Sequence, residues 1–351
     1  MRTRRKILER PSSAQHPARA FVAFLVAFLV AIAVAACGGA SASRGDRSRP
    51  IETVAISEAA GGALETKTSA PASTRTWARP FLWRIDGTPP SYLFGTIHVP
   101  DARLEPLLPS IQRALDASDV VLGELPMDAA TRAAVASRTL LPPGRSLQNE
   151  IPADLYARVR ALLHAKRIPP AAVARLRVWS LALQLMLLDR VAALVTMKPL
   201  DLRLYESAND AGKSVGGLET VDEQMQVFDG LSRAEQATFL KQTLDNLDEQ
   251  RKRGVDAFEE LFQLYLSGDE VKTREAFAHM SDPSNALDTK LEKRVIEDRN
   301  KVMTDRVQAR IDAAPKRSHF IAVGAAHLLG DDSVVAALAK RGYKLTRLGA
   351  E

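Results

Sequence analysis

Two histidines and one glutamate stand at the ends of apolar runs. His98 closes Tyr92-Leu93-Phe94-Gly95-Thr96-Ile97-His98, His327 closes Phe320-Ile321-Ala322-Val323-Gly324-Ala325-Ala326-His327, and Glu124 follows Val120-Val121-Leu122-Gly123. Both histidines share one short pattern, apolar-Gly-x-x-His. A glycine at a strand end permits close backbone approach or an unusual dihedral, so Gly95 and Gly324 read as supporting residues. A side chain just past the carboxyl end of a strand lies where open α/β sheets hold their ligands. A carboxylate among apolar neighbours is costly to bury unless it is paired or metal-bound. Two imidazoles and a carboxylate form a common set for a divalent metal. Taken singly, each has a plainer reading: a glutamate reaching water, or a histidine hydrogen-bonded at a loop start. Their coincidence makes His98, Glu124 and His327 the candidate metal set.

Arg299 adds to the pattern from elsewhere in the chain. Along 287–311 the i+4 row reads Leu287, Leu291, Val295, Arg299, Met303, Val307, Ile311. A guanidinium in an apolar row either snorkels to water or turns inward onto an anion. Glu124, Glu219 or a substrate carboxylate could serve as that anion. Asn300 is similarly placed, between Ile296 and Met303. His164, His279 and His319 stand in polar or helix-surface contexts and read as bystanders. Trp179 and Leu181–Leu188 read as core, and Glu249–Arg253 as a solvated helix face.

The elements that position these residues follow from periodicity. Phe81–Ile85 and Tyr92–His98 flank the turn Asp86-Gly87-Thr88-Pro89-Pro90 and predict a hairpin. Helical spacing over 105–117 leads to Val120–Leu125, whose continuous apolar run predicts a buried parallel strand. Residues 127–212 predict helices, including 153–166 and one long apolar helix over 171–195. Residues 213–219 predict a short strand and loop, 232–312 more helices, and 320–348 a β-α-β ending. Strands near both ends around a helical middle predict an α/β fold. Its central sheet would be mixed or mostly parallel, built from N- and C-terminal segments, with a large helical insertion over about 127–312.

Composition narrows the function. The chain has 351 residues, 46% apolar and 26% charged, the values of a globular protein. Aromatic residues make up only 5%, which argues against a stacking platform for single-stranded nucleic acid. The net charge of +6 is not a nucleic-acid signal either. Residues 1–36 hold six basic side chains and one acidic, +5 of that total. Their basic start and the apolar run 21–36 predict an export signal. It ends in Val34-Ala35-Ala36-Cys37-Gly38, where small residues before the lone cysteine resemble a bacterial lipobox. Cleavage before Cys37 and its lipidation would anchor the chain in the cell envelope, on the periplasmic side. Gly38 in place of an aspartate favours the outer membrane. Residues 38–76, rich in Gly, Ala, Ser and Thr, predict a flexible tether, leaving 77–351 as the folded part.

The ordered set of these pieces resembles the TraB/GumN family, which includes the TIKI proteins. The matching residues are Phe81–Ile85, Tyr92–His98, the strand ending at Glu124, Leu141-Pro142-Pro143-Gly144, and Gly217-Leu218-Glu219-Thr220 with Glu223-Gln224. Asp298-Arg299-Asn300 and Ala322–Leu328 complete them. They run in family order over about 79–348. One departure is Pro199-Leu200-Asp201, where the family often has Gly-Val-Asp. The resemblance implies an α/β core related to the erythromycin-esterase and ChaN-like proteins. For TIKI members it implies a peptidase supported by Mn or Co. It carries over His98, Glu124, Arg299 and His327 as the site.

The expectation is an envelope-anchored metallohydrolase acting on a peptide or protein, with Mn or Co, or else Zn. Glu124, Glu219 and Arg299 are its candidate catalytic residues. Spacing leaves open which carboxylate is ligand and which is general base, with Glu219 a candidate for the base. Arg299 could hold a substrate carboxylate or a developing oxyanion. The rival expectations are a non-catalytic lipoprotein that binds haem or a peptide, and an accessory factor of polysaccharide biosynthesis.

Overall fold

The computed structural model describes residues 77–351. The export signal, Cys37, the tether and His16 lie outside the described residues. The hairpin expected at the start is present: β1 (Leu82–Ile85) pairs antiparallel with β2 (Ser91–Thr96), with Leu82 opposite Phe94. A helix at Pro109–Asp116 then leads to β3 (Val120–Gly123). Beside β3 runs β4 (Ser214–Gly217), and the chain closes with β5 (His319–Gly324) and β6 (Leu345–Arg347). The six strands lie in the order β4-β3-β5-β2-β1-β6. The three pairings β2/β5, β3/β5 and β3/β4 are parallel, and the two made by β1, with β2 and with β6, are antiparallel. The α/β fold built from both chain ends is therefore as the sequence predicts.

The central position of β5 sets the site. Every residue of His319–Gly324 is buried, as a strand covered on both faces requires. It enters between β2 and β3, with Thr96 beside Gly324 and Leu122 beside Ile321. The carboxyl ends of β2, β3, β4 and β5 consequently share one edge. Gly95 allows β2 to sit this close to its neighbours. A Cβ there would stand 2.9 Å from both the Ala325 Cα and the Phe81 Cβ. Beneath this edge, Trp77, Phe81, Phe94, Phe320 and Tyr265 pack together, with Phe81–Tyr265 centroids 5.6 Å apart and Phe94–Phe320 5.7 Å apart. The Tyr265 hydroxyl donates to the Gly95 carbonyl at 2.8 Å.

Two expectations need correction. The apolar run 171–195 is not one helix. It forms a turn at Pro170–Ala172, a buried helix at Val178–Met186, a second turn at Leu188–Arg190 and a short helix at Val191–Thr196, where Val195 is 70% exposed. The chain before Val178 is pulled into backbone pairing instead. Leu141 N–H donates to the Arg175 carbonyl, Leu147 to Ala174, and Arg177 to Thr139. Those bonds satisfy groups that an isolated apolar helix would satisfy internally. His319 is also not a polar-surface residue: it opens β5 and is buried, with its N–H on Ser91 Oγ, at the end of the strand opposite the site. The segment 127–312 is mainly helical and also supplies the edge strand β4, at the place where the sequence predicts a short strand.

The helix that carries Arg299 is not uniform. An α-helical turn at Ala286–Glu292 passes through a π-helical stretch at Lys293–Glu297 into the helix Asp298–Ala313. A strict i+4 row drifts round an α-helix, and the wider π turn takes back part of that drift. Leu287, Leu291, Val295, Met303 and Val307 therefore all stay buried along one side, with Arg299 in their midst.

Replacing Gly95 by Ala should lower stability by about 1–3 kcal/mol, because the obstructing atoms belong to the core and cannot swing away. Urea unfolding followed by circular dichroism measures this, and an unchanged midpoint would show that β2 can back off.

Candidate functional site

Glu124 lies just beyond β3 with its side chain 1% exposed. One carboxylate oxygen, Oε1, accepts from the Gly324 N–H at 2.7 Å. The other, Oε2, accepts from Arg299 Nη2 at 2.6 Å and from Gln224 Nε2 at 3.3 Å. Glu219 is brought alongside by the end of β4, where its N–H donates to the Glu124 carbonyl at 2.8 Å. Its oxygens take Arg299 Nε at 2.9 Å, Arg299 Nη2 at 2.6 Å and Gln224 Nε2 at 3.0 Å. Gln224 comes from the helix Val221–Asp229, which a reciprocal Thr220/Glu223 capping box starts at that spot. Arg299 therefore turns inward onto both carboxylates, and the alternatives left open by the sequence resolve to Glu124 and Glu219 together.

The two histidines face Glu124 Oε1 from the ends of β5 and β2, the two strands next in order on one side of β3. His98 Nε2 lies 3.4 Å from that oxygen and His327 Nε2 3.8 Å. His98 follows β2 in a left-handed conformation, φ +30°, and the Val99 N–H donates to the Ile97 carbonyl around it. That backbone region is disfavoured for a side chain larger than glycine and marks a position fixed by its surroundings. His98 Nδ1 lies 3.1 Å from Asp201 Oδ2, and Thr96 Oγ1 donates to Asp201 Oδ1 at 2.6 Å. His327 sits in the short turn Ala325–Leu328, fully buried, with Nδ1 2.7 Å from Asn300 Oδ1. The Asn300 amide is oriented by its Nδ2, which donates to the Asp332 carbonyl at 2.9 Å. Its oxygen therefore faces His327, Nδ1 carries the proton, and Nε2 presents a lone pair.

The electrostatics of the cluster follow from burial and from these contacts. Burial disfavours charge on Glu124, but Arg299 and His98 override it and hold its carboxyl well below the usual range. Burial would push His98 down, yet Asp201 and Glu124 hold it up, to about 10. Burial and the Arg299 guanidinium drive His327 down to about 3, so it is neutral at pH 7. A buried imidazole nitrogen that has no hydrogen-bond partner thus faces a carboxylate oxygen, one acceptor against another. Such a pair is unfavourable unless a positive group lies between them.

The residues fit a divalent cation. Ligands about 2.0–2.2 Å from a tetrahedral ion stand about 3.3–3.6 Å apart, close to the two Nε2–Oε1 spacings. Glu124, Glu219 and Asp201 set three carboxylates against the guanidinium of Arg299 and the protonated ring of His98, whose Nε2 proton a bound cation would replace. Both Nδ1 atoms are held by acceptors behind them, as metal-binding histidines usually are. Among the described residues no group of three or more His, Cys, Asp or Glu is spaced to hold a metal ion as the side chains stand, so the set would have to close by a few tenths of an ångström around one. The fit rests on the spacings and on the orphaned His327 nitrogen.

The structure thus brings together His98, Glu124, Glu219, Arg299, Asn300 and His327, with Gly324 beneath them. A Cβ on Gly324 would stand 2.6 Å from His98 Nε2, which is the physical reason for glycine there. His164 is exposed on the helix Ala153–Ala165, and the His279 side chain lies outside the described set. Sequence reasoning missed Asp201, Thr96 and Gln224. The signal for Asp201 was an acid set between Leu200 and Leu202 on an apolar helix start. In the sequence, Pro199-Leu200-Asp201 stands out only as a departure from the family pattern, and an acid in the first turn of a helix is common for its own reasons.

All of these residues fall within 81–347, the span matched by the model of the TraB/PrgY/gumN family. The chain belongs to the TraB/PrgY/gumN family. It is similar to the metalloprotease TIKI2 of Danio rerio, 32% identical over 311 residues, covering 76% of this chain and 60% of that protein. The metalloprotease TIKI1 of Xenopus tropicalis is 30% identical over 306 residues (75% of this chain, 60% of its own), and that of Homo sapiens 29% over 308 residues (76% and 61%). The chain therefore spans about three-fifths of the length of these relatives. No solved structure matches it at a significant level.

Removing the guanidinium in Arg299→Met leaves two buried carboxylates without their cation. Stability should fall by about 3–5 kcal/mol, measured by chemical denaturation. A loss below about 1 kcal/mol would mean that water already reaches the pair.

Proposed function

We propose that this family member is a metal-dependent peptidase of the cell envelope, held to a membrane by lipid on Cys37. The observation that carries the reading is the proton-free, buried His327 Nε2 turned toward Glu124 Oε1. The TIKI relatives, named as metalloproteases, support the same reaction class. His98, Glu124 and His327 would hold the ion, with Mn or Co favoured by the family resemblance and Zn compatible with the donor set. A bound divalent ion supplies Lewis acidity toward a substrate carbonyl and an attacking water.

The other residues then have defined roles. Arg299 clamps Glu124 and Glu219 with Nε and Nη2, so it acts on the carboxylates rather than on an oxyanion. Glu219 has both oxygens taken by Arg299 and Gln224, which suits it to hold Arg299 in place and leaves it ill-placed as a general base. Gly324 keeps room for the His98 ring and donates to Glu124. A haem site would instead need an axial imidazole over an apolar slot, whereas both histidines here turn onto polar groups. The peptide or protein substrate and the periplasmic location belong to the same proposal. The lipobox-like Val34–Cys37 supports the location.

Calorimetry with Mn2+, Co2+ and Zn2+ tests the reading. The wild-type protein should bind a divalent ion and cleave a peptide library only when loaded. His98→Ala, His327→Ala and Glu124→Gln should each bind at least about tenfold more weakly while keeping their circular dichroism spectra. A wild-type protein that takes up none of the three ions would sink the proposal. Gly324→Ala should weaken binding as well, because the added methyl displaces His98 from Glu124, and unchanged affinity would show that the ring can move aside. For the anchor, Cys37→Ser should abolish incorporation of labelled fatty acid, and persistent labelling would overturn that part.

A further inference from the structure

Resting on the metal-site reading, we infer that Asp201 is the positioning residue that makes the two imidazoles inequivalent, with His98 the stronger ligand and His327 the weaker. The supports behind the two rings differ in kind. His98 Nδ1 donates to a carboxylate oxygen, Asp201 Oδ2, at 3.1 Å, and His327 Nδ1 donates to a neutral amide oxygen, Asn300 Oδ1, at 2.7 Å. A hydrogen bond to a charged acceptor is stronger than one to a neutral acceptor, and it raises the electron density on the opposite ring nitrogen. The carboxylate-backed imidazole is thus the better donor to a cation.

Asp201 has little other employment. It is 6% exposed, at the start of the helix Leu200–Asp210. Its two oxygens go to Thr96 Oγ1 and His98 Nδ1, and among the described residues no lysine or arginine pairs with it. A carboxylate buried there needs a partner, and its one charged partner among the described residues is the His98 ring, so the acid and the ring are placed for each other. The Thr96 hydroxyl, at 2.6 Å from Oδ1, turns Oδ2 toward the ring.

The backbone repeats the asymmetry. His98 is held at φ +30°, while His327 sits in a regular short turn. The helix of Asp201 is tied to the chain that follows His98, because Arg203 reaches Glu105 and donates to the Leu104 carbonyl at 3.3 Å. Carboxylate and ring are thereby fixed to one another from both sides.

The test measures Zn2+ and Co2+ affinity by calorimetry for wild type, Asp201→Asn, Thr96→Val, His98→Ala and His327→Ala. It adds the visible absorption of the Co2+ forms and the melting midpoints of the metal-free proteins. Asp201→Asn should weaken binding about 10–100-fold and shift the Co2+ bands, with Thr96→Val intermediate. His98→Ala should cost more affinity than His327→Ala. A purely structural Asp201 would lower the metal-free midpoint and leave affinity and spectrum alone. If wild type binds and Asp201→Asn binds within about twofold of it with the same spectrum, the positioning role is wrong and the metal site stands. If Asp201→Asn does not fold, Thr96→Val decides, and affinity equal to wild type overturns the inference. If wild type binds neither ion, the metal reading fails and takes this one with it.

Discussion

Glu124 keeps a carboxylate inside the protein at the end of a strand, and the donors around it come from four separate stretches of chain. The Gly324 N–H is in reach only because β5 runs beside β3. Arg299 reaches it from a helix entered through a π stretch, which keeps its apolar neighbours turned to the same side. Gln224 is in reach only because a capping box starts its helix one turn earlier. His98 and His327 then converge on the oxygen that Arg299 leaves open. Removing water from one carboxyl group thus dictates the placement of most of what surrounds it.

The cluster divides into two halves that share that carboxylate. On the Oε2 side, guanidinium, amide and the second carboxylate of Glu219 form a hydrogen-bonded set whose donors and acceptors match. On the Oε1 side, two imidazoles meet the oxygen with their Nε2 atoms, and at His327 the match is lost. A fold selected only for stability would have no reason to leave one buried acceptor facing another. Saturation on one flank and deficit on the other separate the part that holds shape from the part proposed to take the ion.

Much of this could be read from the sequence because the signals were local. The hairpin, the run Val120–Leu125 and the final β-α-β each show their periodicity within a few residues. The repeated Gly-x-x-His is informative because, at Gly324, the glycine leaves the space that the ring of the other motif, His98, occupies. The rest depends on partners distant in sequence. The stretch 171–195 has the composition of a long helix, but its first part pairs with 139–147, which no local pattern announces. Asp201 lies over a hundred residues from His98, and its role exists only once Thr96 and the ring stand beside it. The position of β5 between β2 and β3 was likewise hidden, since adjacency in a sheet is not written in any single strand.

That strand order has a consequence for the timing of synthesis. β2 and β3 cannot complete their pairing until β5 arrives between them, and β5 follows both of them in the chain with the whole helical segment in between. His327 and the Gly324 N–H arrive with it. A nascent or C-terminally truncated chain therefore holds His98 and Glu124 without the strand that joins them. The site thus comes into existence in one step, when β5 docks, and before that its residues are scattered along the chain and chemically inert.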